Sequence, residues 1–143
     1  MVDISPKEIT KRIARARGEV RTSAETIAKI RNNGLAKGNV LEVARLAGIM
    51  AAKNTGQLIP LCHSLLLSHV QVQFQLTDLG VDIEATTMAE GKTGVEMEAL
   101  VAVSTAALTI YDMCKAIDRT MEIGKIHLIE KSGGQSGHFI RSG

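Results

Sequence analysis

Residues 96–119, EMEALVAVSTAALTIYDMCKAIDR, constrain the fold more than any other stretch. A helix here is apolar almost all round over VAVSTAAL, so it must be covered on most sides. The chain holds no run of 18 apolar residues, which excludes a membrane-spanning helix and leaves protein as the cover. The helix is predicted to start near Thr93 to Glu98 and to end near Arg119. Charges fence both ends. Glu96 and Glu98 open it, while Asp112 and Lys115 share a face near its close. Thr93-Gly94-Val95-Glu96 fits a capping box, so Glu96 is as well suited to a cap as to a ligand. The helix dipole favours Glu98 in the first turn. Asp112 and Lys115 sit among apolar neighbours, where partial burial would suit the lysine to proton exchange.

From Glu98 to Asp112 is 14 residues, or about 21 Å of helix. That is long for one small-molecule pocket. Either there are two sites, or the ends meet from different subunits through symmetric packing. The small residues from Ala102 to Ala107 would let a partner helix approach closely.

The rest of the chain supplies the cover. Ser5-Pro6-Lys7-Glu8 can open a short helical turn. KRIARARGEVRTS then alternates, with Arg12, Ala14, Ala16, Gly18 and Val20 pointing one way, as in a strand with one solvated or ligand-facing side. Thr22-Ser23-Ala24-Glu25 reads as a capping box and Asn33-Gly34 as a stop, with a helix between. Asn39 and Glu42 open a second helix that runs to about Lys53. After the loop NTGQLIPLCHSL, Val70, Val72, Phe74 and Leu76 alternate with glutamines in a half-buried strand. Asp78-Leu79-Gly80 turns it into a hairpin partner, VDIEATTMA. MEIGKIHLIEK is the final strand before a Gly-Ser tail. The order is β-α-α-β-β-α-β, the split βαβ pattern once the first two helices are merged. The expected fold is α+β, an antiparallel sheet of about four strands with helices on one face. The other face must be polar or covered by a second subunit. All 143 residues are expected to form one domain.

A net charge of +2 is too small to imply a nucleic-acid binder. The split βαβ pattern is shared with RNA-recognition domains, which stack bases on strand aromatics, but the candidate strands offer only Phe74. The early residues are polar, so no secretory signal is expected. Cys62 and Cys114 have neither CxxC nor zinc spacing, and a reduced, cytoplasmic chain is the expectation, with their pairing left open. With no Trp, one Tyr and two Phe, the core is built of small aliphatics and is expected to be completed by another subunit.

Several polar groups remain. His63 follows Cys62 in a loop, and adjacency argues against a Cys-His nucleophile pair. Lys37 precedes a helix N-terminus, where an anion is welcome. Lys131-Ser132-Gly133-Gly134-Gln135-Ser136-Gly137 is rich in donors and can form an anion nest or fray. Gly91-Lys92-Thr93 imitates the end of a P-loop, but Thr86 stands where a glycine is needed. Arg12, Arg15, Lys37, Lys115 and Lys131 with Glu96, Glu98, Asp112 and His63 suit a phosphorylated substrate bearing amide or guanidino N–H groups.

IPLCHSLLLS at 59–68, GKTGVEMEALVAVSTAALTIYDMCKA at 91–116 and KSGGQSG at 131–137 closely resemble the cyclic pyranopterin monophosphate synthases, the protein C family of molybdenum cofactor biosynthesis. VDIS and LAKGNVLEVARLAGIMAAK fit as well, so the resemblance covers nearly the whole chain. It implies a ferredoxin-like subunit, assembled as dimers into a hexamer with active sites at the dimer interface. It implies a lyase that turns (8S)-3′,8-cyclo-7,8-dihydroguanosine 5′-triphosphate, made from GTP by a radical-SAM partner, into cyclic pyranopterin monophosphate and diphosphate. Nucleic acid and membrane are not implied as partners. No cofactor is implied, apart from a divalent ion that can travel with the triphosphate. By motif, Asp112, Lys115 and Lys37 fall on the family's catalytic residues. Leu61, Cys62 and His63 fall on one substrate-binding triplet, and Met97 and Glu98 on another segment with Glu96 beside them. Arg12 and Lys131 match basic residues of its pocket. Ser64 departs from the proline common after the Cys-His pair, and the longer N-terminal arm of some members is absent before VDIS. The rival reading is a non-catalytic oligomeric regulator that binds a nucleotide between subunits.

Overall fold

The structure is a computed structural model that describes residues 1–135 and 137–142. The chain opens with a turn closed by Lys7 N–H donating to the Ile4 carbonyl, 3.0 Å. No helix forms there, because the Ser5 hydroxyl and amide both turn back to the Asp3 carboxylate. Strand β1 is Thr10–Arg21. Helix α1 is Ala24–Arg31, α2 is Val40–Lys53 and the single turn α3 is Thr55–Leu58. Strands β2 (His69–Leu76) and β3 (Gly80–Gly91) form the expected hairpin. Helix α4 is Glu96–Cys114, β4 is Glu122–Ser132 and β5 is Phe139–Ile140.

All strand pairings are antiparallel, in the order β2-β3-β1-β4-β5. The first four strands have the split βαβ arrangement, so the α+β, ferredoxin-like expectation holds, with one short strand added at the β4 edge. Alternation decides which face is buried. Ala14, Ala16 and Val20 of β1, Val72 of β2 and Ile83 and Ala85 of β3 are buried in the core. On the opposite face Arg17 pairs with Glu84 at 2.8 Å and Arg15 with Glu130 at 3.7 Å. That face is polar, as anticipated. It carries a depression of about 600 Å³, lined by Arg17, Glu84, Lys125 and His127 among others, and by none of the candidate site residues.

Helix α4 is long enough to cross a bilayer at 19 residues, but ten of them are buried in the fold. Ala102, Val103, Ala106 and Ala107 are fully enclosed. Gly48 of α2 meets this stripe so closely that an added Cβ would lie 3.0 Å from the Ala102 carbonyl. The small residues therefore serve α2 and the sheet, and they are not free to take a partner helix. α4 also stops at Cys114, short of Arg119. Beyond that end, Asp118 accepts from the Thr22 hydroxyl at 2.9 Å and from the Thr120 amide at 2.9 Å. With Thr22 drawn away, Ser23 is the cap of α1 and accepts from the Thr26 amide at 3.2 Å.

Candidate active site

At its N-terminal end, α4 follows directly on β3 through the turn 92–95. The Thr87 hydroxyl fixes that turn by donating to the Val95 carbonyl, 3.0 Å. Val95 is the cap residue, and no side chain caps the helix. The capping box expected from Thr93 does not form. Glu96 instead accepts from Lys131 Nζ at 3.1 Å, across from β4. A charge-assisted bond to a half-buried ammonium outcompetes a bond to a neutral amide. Glu96 is thus the ion-pair partner of Lys131 and not a cap.

Glu98 is 1% exposed, and its Oε1 has no partner. It lines a cavity of about 210 Å³ together with Asn54, Gly56, Ser64 and Leu65. Burial pushes its carboxyl above the ordinary range, with a further push from Glu96. The same surroundings act on Cys62: burial first, then the charges of Glu98 and Glu96, keep its thiol protonated. Cys62 and Cys114 are both free thiols, and burial pushes Cys114 up to about 11. His63 lies in the same loop, with Nε2 2.7 Å from the Val2 carbonyl. Leu61 and Met97 are exposed beside them, at 69% and 36%.

Arg12 is 5% exposed, and its Nε donates to the Gly91 carbonyl at 3.2 Å. Gly133 and Gly134 wrap its guanidinium at φ +104° and +73°, a path that leaves no room for a Cβ. The described part of the KSGGQSG segment is therefore an ordered cover over Arg12; Ser136 lies outside the described residues. Arg15 faces the open side of the sheet and is not part of this group.

The second group sits at the other end of α4. Asp112 bridges two ammonium groups, Lys37 at 2.9 Å and Lys115 at 3.1 Å. Lys37 also donates to the Asp112 carbonyl at 3.3 Å, satisfying a backbone group of the last turn. These hydrogen bonds, Lys37's first and Lys115's second, hold the Asp112 carboxyl below its usual range. The three side chains are 52–55% exposed, so the partial burial expected from the apolar neighbours is not present in the chain. They project from the outer side of the helix. Nothing local announces the Lys37–Asp112 pair, which joins residues 75 apart.

The eight titratable candidates other than Arg15 and Cys62 thus resolve into two groups: Arg12, His63, Glu96, Glu98 and Lys131 at one end of α4, and Lys37, Asp112 and Lys115 at the other. Among the described residues no three His, Cys, Asp or Glu side chains gather as a metal-holding set. The first group offers cations beside carboxylates, suited to an anionic ligand with N–H donors. The second offers a carboxylate shared by two lysines, suited to proton transfer.

A family model described as MoaC family matches residues 1–134. The chain is 58% identical over 142 residues to a protein of Desulfitobacterium hafniense (strain DSM 10664 / DCB-2), covering 99% of this chain and 87% of that one. It is 60% identical to a protein of Roseiflexus sp. (strain RS-1), over 98% and 90% of the two chains. It is 59% identical to one of Chloroflexus aurantiacus (strain ATCC 29366 / DSM 635 / J-10-fl), over 99% and 88%. All three relatives carry the name cyclic pyranopterin monophosphate synthase.

Proposed function

The chain belongs to the MoaC family, and on that premise we propose that it is a cyclic pyranopterin monophosphate synthase. It converts (8S)-3′,8-cyclo-7,8-dihydroguanosine 5′-triphosphate to cyclic pyranopterin monophosphate and diphosphate in molybdenum cofactor biosynthesis. It is a lyase: a cyclic phosphate forms at the α-phosphorus as the bond to the diphosphate leaving group breaks. The observation that carries the chemistry is Asp112 held between Lys37 and Lys115. One carboxylate then keeps two ammonium groups in reach of a single substrate.

In this reading Lys115, paired with Asp112, exchanges protons as the guanine-derived ring opens and the pyranopterin closes, and Lys37 is the second acid or base. Arg12, His63 and Lys131 hold the triphosphate and meet the charge that develops as diphosphate leaves. The unpartnered oxygen of Glu98, with Glu96, accepts from the N–H groups of the purine-derived ring. Leu61, Cys62 and Met97 line the base. The enzyme works without a resident cofactor, and a divalent ion enters only with the triphosphate.

Two groups about 21 Å apart along one helix serve one substrate only if each pocket takes one group from each of two subunits. The reading is therefore of a homo-oligomer, a hexamer built of dimers with shared sites, acting in the cytoplasm after a radical-SAM enzyme that supplies the substrate from GTP. Exposed Val43, Leu46 and Met50, in one stripe of α2 and 42–58% exposed, support an assembled state.

The test is anaerobic incubation with the cyclic triphosphate, following diphosphate release and pterin formation. Lys115→Ala should lose at least about a thousandfold in turnover while keeping its fold. Near-normal turnover by that variant would remove Lys115 from the mechanism, and binding without turnover by the unaltered chain would favour a regulator instead.

A further inference from the structure

Lys92 sits in the turn between β3 and α4, and the reading above gives it no task. Its Nζ donates to the Ser5 carbonyl at 3.0 Å. Nearby, His63 Nε2 is 2.7 Å from the Val2 carbonyl. Asp3 lies between these two bonds in the chain. It also turns back to accept from the Ser5 amide at 2.9 Å, which shapes the segment. Residues 1–5 thus lay two carbonyl oxygens against two cation-capable donors at the N-terminal end of α4. Phosphate oxygens would engage the same two donors.

The segment is weakly held. Met1 and Val2 are 76% and 74% exposed, and none of residues 1–5 is buried. β1 begins only at Thr10, so the sheet can stay intact when the segment moves. A stretch with so little buried apolar contact opens at low cost. A phosphate oxygen would give Lys92 and His63 a charged acceptor in place of neutral carbonyls, and such bonds are stronger.

We propose that Lys92 is a further phosphate-binding residue of this site, and that residues 1–5 are a strap occupying Lys92 and His63 until an anionic ligand displaces it. This rests on the reading of the site as one for a triphosphate, and it adds an internal competitor to it. The strap makes apparent affinity weaker than intrinsic affinity, because part of the binding free energy is spent on displacing it.

The probe is inorganic tripolyphosphate, titrated calorimetrically into the full chain, a chain lacking residues 1–5, Lys92→Gln, and the two changes combined. Strap removal should tighten binding about fivefold, and Lys92→Gln should weaken it about tenfold. The gain from strap removal should shrink when Lys92 is absent, since one of the contested donors is gone. In the full chain, the His63 imidazole nitrogen signals should move on saturation towards their positions in the shortened chain. No tightening, a gain of equal size with and without Lys92, or an unmoved His63 signal would each overturn the proposal. Turnover of the cyclic triphosphate by the same proteins separates the two readings. Turnover without the affinity pattern sinks the strap alone, whereas the affinity pattern without turnover leaves the strap and sinks the synthase reading.

Discussion

Glu98 stands in the first turn of α4, where the helix dipole welcomes a carboxylate, yet one of its oxygens is buried without a partner. Burial holds its carboxyl above the ordinary value of 4.5. The folded chain therefore keeps this proton to higher pH than the unfolded chain does. As pH rises from 4.5 through the folded value, the unfolded chain binds fewer protons, and stability falls. Above that value the cost is fully present. Glu98→Gln removes it, so denaturant unfolding at pH above that value should show the variant more stable by about 1 kcal/mol. The gap should close below about pH 4, where the carboxyl is protonated in both states. The same variant should lose turnover, because a carboxylate acceptor for substrate N–H groups is gone. A residue that lowers stability and raises activity is what a binding site requires of it; an unchanged turnover would reduce Glu98 to a structural group.

At the scale of elements, α4 is held by close approach. An added Cβ on Gly48 would stand 3.2 Å from Val72 and 3.6 Å from Ala106, as well as against the Ala102 carbonyl. Gly48→Leu should lower Tm by about 10 °C through overpacking of the α2–α4 contact, read by thermal unfolding. Which elements form was largely legible in the chain. β1 and β2 alternate cleanly, and Asn39 caps α2 as expected, accepting from the Glu42 amide at 3.2 Å. What failed was the choice among local partners once a distant one existed. Thr93 has the right spacing to cap α4, but Lys131 takes Glu96 from 35 residues away. Thr22 has the right spacing to cap α1, but Asp118 takes its hydroxyl from 96 residues away. The single turn α3 and the two-residue β5 are too short for any period to register. The catalytic-type trio was legible in residue type through the family motif, and Asp112–Lys115 in its spacing as well. Lys37 joins that pair only through the fold.

The whole molecule exposes more apolar surface on α2 and the following loop than a solitary subunit needs. Val43, Leu46 and Met50 form one stripe, with Leu58, Leu61 and Leu66 beyond it, the last 93% exposed. If that face is an interface, Leu46→Glu should shift the mass measured by light scattering towards the monomer and abolish turnover, with the far-UV spectrum unchanged. The central claim is that the two ends of α4 from different subunits make one pocket. The most direct test mixes two inactive proteins, Lys115→Ala and Glu98→Gln, by coexpression, and measures diphosphate release from the purified hetero-oligomers. In a mixed dimer one pocket carries both changes and the other carries neither. Turnover should therefore recover to about a quarter of the unaltered level for random pairing. Hetero-oligomers as inactive as either parent would mean that both groups act within one chain or at separate sites, and the shared pocket would be wrong.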